Sequence, residues 1–492
     1  MTSQGAAPVA VDGIGRHAVQ GVIWTYLSFA GSKLLVFAST VVLARLLLPT
    51  EFGLVGFALL AIGYMDTVGD FGISSALIYE HERIEEAADV AFVVSLIAGL
   101  FWFGLAYFAA PYVADFFREP EVVPIMRVMG IAFVINALGN TQDAILRRNL
   151  AFKKRLIPDF AMAGFKGLCS VAFALAGWGV WSLVWGQLIG AAAATIALWA
   201  VVPWRPGLNA TWRAARNMLS YGGHIVSVNI VSAIVHDADY LIVGRMLGAT
   251  ALGYYTIAYR TPELLITTVI WVIGKVTFPV YAKLRNDPAA LANAFLVTLR
   301  YLSLVTLPAG LGLAFLGGTF VTTFYGDKWM PAALTMQALA VAGAMRSLGS
   351  HAGDVYKATG RPSILTKLGL LRAAVIIPAM IWGARYGIFG VAVAQLIVTM
   401  ASTLLNLIVA GRILSLSPWI LLGEFRSAAV ASAAMIGTLV MVQPLLAATP
   451  DLIRLILDAC IGAATYLACV LLIDRSTLLE ARDALADSVR RT

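Results

Sequence analysis

Ionisable side chains stand inside long apolar runs of this chain, and their types point to two kinds of chemistry. Lys33, Arg260, Lys275 and Arg346 are cations that would attract an anion. Asp66, Asp70, Asp237, Asp239 and Glu263 are carboxylates able to hold a cation or exchange a proton. Asp66 and Asp70 are four residues apart and so share one face of a helix. The stretch "NIVSAIVHDADY" (229–240) sets Asn229, Ser232, His236 and Asp239 on one side, with Asp237 displaced. Thr256, Arg260, Glu263 and Thr267 form a stripe at intervals of four, three and four. A charge near the centre of a bilayer costs at least about 2.5 kcal/mol and usually faces a cavity or a partner. Duller readings stand beside each: an Arg260–Glu263 pair that neutralises itself, a helix-end Asp70, a packing His236.

The setting of these charges follows from composition. Of 492 residues, 60% are hydrophobic and only 13% charged, against about 25% charged in soluble domains. Mean hydropathy is +0.84. This composition excludes a soluble globular protein and indicates an integral membrane protein. The net charge of +8 sits in short basic clusters between apolar runs, which reads as membrane orientation rather than nucleic-acid binding. Cys169, Cys460 and Cys469 lack metal-ligand spacing and read as small buried hydrophobes. The first apolar segment is long, with no convincing cleavage site, and is expected to remain as a helix.

The elements that must position the charges are membrane spans of about 20 residues. About fourteen candidates are present: 18–46, 52–79, 88–114, 121–146, 157–177, 179–202, 219–245, 251–281, 290–324, 331–356, 363–384, 386–411, 423–446 and 451–473. The expected fold is an all-α polytopic membrane protein; alternating patterns of a β-barrel are absent. Arg147, Arg148, Lys153, Lys154 and Arg155 fall on one side of the membrane, with Arg205, Arg213, Arg216, Lys283, Arg285, Lys357, Arg361, Arg412 and the arginines of the C-terminal tail. The bias puts both termini in the cytoplasm. The acidic loop "EHERIEEAAD" (80–89) dissents, but acidic residues weigh little in this rule.

The chain also repeats itself. "VVLARLLLPTEFGLVGF" (41–57) echoes "LIVGRMLGATALGYYTI" (241–257) through Arg45/Arg245, Thr50/Thr250 and Gly53/Gly253. Leu138-Gly139 matches Leu348-Gly349, and Gln187 matches Gln395, in the same order along the chain. Two lobes of six spans follow, related by a pseudo-two-fold axis along the membrane normal. The expected divisions are an N-terminal lobe (1–202), a cytoplasmic linker (203–217), a C-terminal lobe (218–415), and two extra helices with a cytoplasmic tail (416–492). Arg45 and Arg245 close the first helix of each lobe, as a structural corner or a gate, and Thr50 and Thr250 suit N-caps of the next helix. Charges without a repeat partner are the better functional candidates: Lys33 corresponds to Ala233, Asp66 to Ile266 and Asp70 to Ile270.

"ARLLLPTEFGLVGF", "DFGISSALI" (70–78), "LRRNLAFKKR" (146–155), "DADYLIVGRMLGATALGYYTIAYR" (237–260), "YGDKWMPAALTMQALAVAGAMRSL" (325–348) and "FPVYAKLRND" (278–287) resemble Wzx-like polysaccharide flippases and lipopolysaccharide exporters of the MOP exporter superfamily. That resemblance implies two six-helix lobes about a cavity, with two extra helices, in the bacterial inner membrane. It implies transport of an undecaprenyl-diphosphate-linked oligosaccharide from the cytoplasmic to the periplasmic leaflet by alternating access. Lys33, Arg260, Lys275 and Arg346 would meet the diphosphate, and Tyr255 and Tyr259 would stack on sugars. Asp66, Asp70, Asp237, Asp239 and Glu263 would serve a coupling ion, H+ or Na+. No cofactor is expected; membrane lipids and the polysaccharide polymerase and chain-length machinery are the expected partners. No GxxxxGK[ST] motif is present, which argues against direct ATP coupling. The alternatives are export of drugs or another lipid precursor on the same fold, and a membrane-embedded glycan-processing enzyme.

Overall fold

The computed structural model describes residues 31–69, 77, 84–207, 211 and 237–475. In hydrocarbon every backbone polar group needs an internal partner, which a helix supplies within one segment. Helices are what the apolar runs form: α1 (31–46), α2 (Pro49–Gly69), α3 (Ile84–Phe117), α4 (Val122–Met129), α5 (Ile131–Arg148), α6 (Phe152–Leu175) and α7 (Val180–Val201). After them come α8 (Ala238–Pro262), a π-helical turn (Glu263–Thr267), α9 (Thr268–Leu284), α10 (Pro288–Phe324) and a 3-10 turn (Asp327–Ala332). The chain continues with α11 (Ala333–Ser350), α12 (Ala352–Ala358), α13 (Pro362–Gly383), α14 (Gly387–Ile413), α15 (Pro418–Val442) and α16 (Asp451–Ile473).

Among the described residues, nine helical segments are long and apolar enough to cross a membrane, and the one over Pro362–Ile413 takes in two of the expected spans. The expected span 331–356 divides into α11 and α12 at His351, and 251–281 is interrupted by the π-helical turn. Large apolar side chains cover the outside: Phe108, Tyr112 and Leu472 are 74%, 77% and 87% exposed. Such surfaces are stable against lipid, not water. Cys460 is part of that outer surface, and Cys169 and Cys469 are half-buried, so the expectation that all three are core residues is corrected. In lipid an outward-facing thiol carries no burial requirement.

The described chain forms two compact units. The first runs through Leu47 and again from Phe57 to His236; the second comprises Leu48–Gly56 and the chain from Asp237. In the first, α5 packs on α7 at Gly139, where a Cβ would come within 3.2 Å of the Thr195 hydroxyl. Thr195 Oγ1 donates to the Ile135 carbonyl at 3.0 Å. In the second, α11 packs on α14 at Gly349, 3.1 Å from Thr403 Oγ1 by the same measure. Thr403 Oγ1 donates to the Met345 carbonyl at 2.9 Å. The same glycine approach and the same hydroxyl-to-carbonyl bond thus recur at the spacings of the sequence repeat. A duplication accounts for both.

The repeated corner has its own geometry within the second unit. Thr50 and Thr250 face each other, Oγ1 to Oγ1 at 2.9 Å. A Cβ on Gly53 would overlap the Ala249 carbonyl, and one on Gly253 would overlap the Pro49 carbonyl. Thr50 is therefore not an N-cap. It lies inside the first turn of α2, and the Leu48 N–H donates instead to Glu51 Oε2 at 2.6 Å, the acidic half of a capping box. Trp329 packs edge-on to Phe52, ring centroids 5.3 Å apart, and is fully buried. Partial burial pulls the neighbouring Lys328 ammonium below the ordinary lysine range, and the Glu51 carboxylate pulls the other way.

The two extra helices fasten to α10. Arg300 Nε donates to Glu424 Oε2 at 2.6 Å, and Tyr466 Oη donates to the Leu304 carbonyl at 2.7 Å. Met435, Leu439, Tyr466 and Val470 form their shared core.

Candidate functional site

The polar centre of the second unit is built from α8, α11, α13 and α14. It depends on one glycine. Asp239 and Tyr255 both lie on α8, sixteen residues apart, and a straight helix would separate them by about 24 Å. At Gly248 the backbone turns through φ 83° and ψ −176°, a conformation favouring glycine. The chain doubles back, and Tyr255 Oη comes 2.8 Å from Asp239 Oδ2. Tyr255 Oη also lies 2.9 Å from Gln395 Oε1 on α14, so its single proton has two acceptors. The Tyr240 N–H donates to Asp239 Oδ1 at 2.9 Å. Asp239 is 2% exposed, Tyr255 0% and Gln395 5%.

Tyrosine rings extend this network. Tyr240 sits edge-on to Tyr255 at 5.4 Å and to Tyr259 at 5.6 Å. Arg346 of α11 donates from Nη1 to Tyr259 Oη at 3.2 Å. Its Nε is buried and has no hydrogen-bond partner. Arg372 of α13 lies within electrostatic reach of both Arg346 and Tyr259, and its Nε is likewise buried without a partner. Arg260 and Glu263 lie within electrostatic reach of Tyr240. Two guanidinium groups with unmet donors, beside a row of phenols, can receive an anion with several oxygens. Leaving such donors empty costs about 1–3 kcal/mol each.

The chain matches the family of polysaccharide biosynthesis proteins over residues 42–334, more than half its length. It belongs to that family. It is 26% identical over 400 residues to the lipopolysaccharide biosynthesis protein WzxC of Escherichia coli (strain K12), covering 80% of each chain. It is 26% identical over 468 residues to the succinoglycan biosynthesis transport protein ExoT of Rhizobium meliloti (strain 1021), covering 94% of each. Its fold matches the lipid II flippase MurJ in an inward closed conformation with a TM-score of 0.75 at 17% identity, over 93% of this chain and 100% of that one. By family it is a polysaccharide biosynthesis protein, and by fold a multi-pass membrane protein with the helical MOP-type architecture expected from the sequence.

Within this polysaccharide biosynthesis protein, the structure gathers Asp239, Tyr255, Tyr259, Arg260, Glu263 and Arg346 in one neighbourhood of the second unit. Asp237 stands just before α8 at its N-cap position and makes no side-chain cap bond. Arg245, on the first arm of α8, is half-buried. Lys275 lies on α9, and its side chain is outside the described residues. Lys33 on α1, Arg45 near its end and Asp66 on α2 belong to the first unit; Lys33 is half-buried, and Arg45 and Asp66 are exposed. Asp70 and His236 lie outside the described residues.

Arg372, Tyr240 and Gln395 join the site without having been marked as site residues in the sequence. Arg372 interrupts "LLRAAVIIPAM" in mid-span and meets the same criterion as Arg346. Gln395 was visible only as a repeat anchor, which suggested scaffold. Its bond to Tyr255 makes it both.

Proposed function

We propose that this protein is a flippase for a lipid-linked oligosaccharide, with Arg346 and Arg372 receiving the diphosphate that joins the sugar to its carrier. The observation that carries this reading is the pair of arginines beside Tyr259 whose Nε donors are buried and unmet. A sugar–diphosphate head cannot enter hydrocarbon without partners for its oxygens, and two arginines supply planar, charge-assisted donors. Tyr240, Tyr255 and Tyr259 would offer ring faces to sugars. Family membership and the names of WzxC and ExoT support a polysaccharide precursor as cargo. The carrier in this reading is undecaprenyl diphosphate. The direction is cytoplasmic to periplasmic leaflet of a bacterial inner membrane, with both chain termini in the cytoplasm. Asp239 would link transport to H+ or Na+, because its charge is shared with Tyr255 and felt by Arg346. The polymerase and chain-length machinery would take the product.

The test is reconstitution of the full chain in liposomes with a fluorescent undecaprenyl-diphosphate oligosaccharide, scored by access of an impermeant quencher. Protein-dependent redistribution between leaflets that falls in Arg346→Gln and Arg372→Gln supports the reading. Redistribution unaffected by both, or none with the wild type, overturns it.

A further inference from the structure

A cavity of about 630 Å³ opens between α10 and the two extra helices α15 and α16. Leu313, Phe320, Leu439, Leu455 and Tyr466 are typical of its wall, and Asp458 is its one carboxylate among the described residues. This volume is within the usual range for small-molecule sites. Asp458 is fully buried, and neither of its oxygens has a hydrogen-bond partner. Arg454, one turn away, brings its Nε to 3.9 Å from Asp458 Oδ2, an ion pair too long for a hydrogen bond, so the Nε donor is unmet too. The Tyr466 hydroxyl is committed to the Leu304 carbonyl.

We infer that this groove binds a lipophilic ammonium ion: an apolar body along the wall, with its ammonium on Asp458. Three facts select that chemistry. A plain hydrocarbon chain would fill the wall and leave a dry carboxylate beside it, which is unfavourable. A primary ammonium brings up to three donors and the opposite charge, so it can meet both oxygens. Phe320, Phe324 and Tyr466 line the same groove and suit a cation. Leu452, Ile456 and Leu467 line it while being 53%, 53% and 51% exposed, so it is open along its side to a ligand dissolved in the bilayer. The helices that build this groove are not those that carry Arg346 and Arg372, and the inference does not depend on the transport reading.

The test uses the full chain in phosphatidylcholine nanodiscs. The probe is dodecylamine with a diazirine at its far end; its matched control is the corresponding dodecanol. After irradiation, modified residues are located by mass spectrometry. The amine should label residues within 308–324 and 452–467, and the alcohol should label them far less. Asp458→Asn should lower amine labelling about tenfold, the loss of a charge-assisted contact, with the alcohol unchanged. Ala463→Trp keeps the carboxylate and fills the groove, so it should abolish labelling by both, and it decides the matter where Asp458→Asn does not fold. Equal labelling by amine and alcohol, or wild-type labelling in either folded variant, overturns the inference.

Discussion

Replacing Gly53 by alanine tests the repeated corner most directly. The new Cβ would meet the Ala249 carbonyl, a backbone group that cannot turn aside as a side chain does. The two segments must then part, which weakens the Thr50–Thr250 contact at 2.9 Å. Overpacking of this kind costs about 1–3 kcal/mol. Alanine in place of glycine returns roughly 0.5–1 kcal/mol through helix propensity, leaving a net loss of about 0–2.5 kcal/mol, against a net gain at a site with no clash. Gly63 provides the control on the same helix, because a Cβ there meets nothing within 4 Å. Gly63→Ala should therefore be neutral or stabilising. Gly253→Ala, against the Pro49 carbonyl, should behave like Gly53→Ala. The double variant should lose less than the sum, since the first substitution already opens the gap the second needs. Thermal unfolding of the full chain in nanodiscs, followed by size-exclusion chromatography, ranks the four variants against wild type. A Gly53→Ala midpoint equal to or above that of Gly63→Ala refutes the close approach.

Three further outcomes follow from the geometry. Arg372→Gln should lower flipping at least about tenfold, the value of a charge-assisted contact, while holding or raising the thermal midpoint, because it relieves a like charge beside Arg346; the liposome assay and the unfolding assay read the two effects separately. Asp239→Asn keeps an acceptor for Tyr255 but removes the charge, so flipping should lose its dependence on an imposed H+ or Na+ gradient while the thermal midpoint holds; ion-gradient jumps across the liposome check this. Thr195→Val and Thr403→Val should each cost about 1 kcal/mol, with equal shifts in midpoint, since each removes one equivalent bond.

What was legible in the sequence was whatever rests on local pattern. Apolar length set the helices, and the Arg45/Arg245 echo located a duplication that the paired Thr195 and Thr403 bonds bear out in three dimensions. The site was legible only in part, because side-chain partners depend on where the chain reverses. A stripe drawn on a straight helix puts Thr256, Arg260 and Glu263 together but leaves Asp239 far from Tyr255. The turn at Gly248 brings those two into contact. The rule that repeated residues are scaffold also misled at one point. Gln395 has a repeat partner in Gln187, yet it reaches Tyr255 because Asp239 and Tyr255 have no acidic or phenolic counterparts: the matching positions are Ser39 and Val55. Duplication preserves the frame of both units. In the proposed site one copy of that frame carries Asp239 and Tyr255 where the other carries Ser39 and Val55, so a repeated residue, Gln395, gains a contact from what surrounds it. The unmatched charges mark that asymmetry, and Arg372 belongs with them.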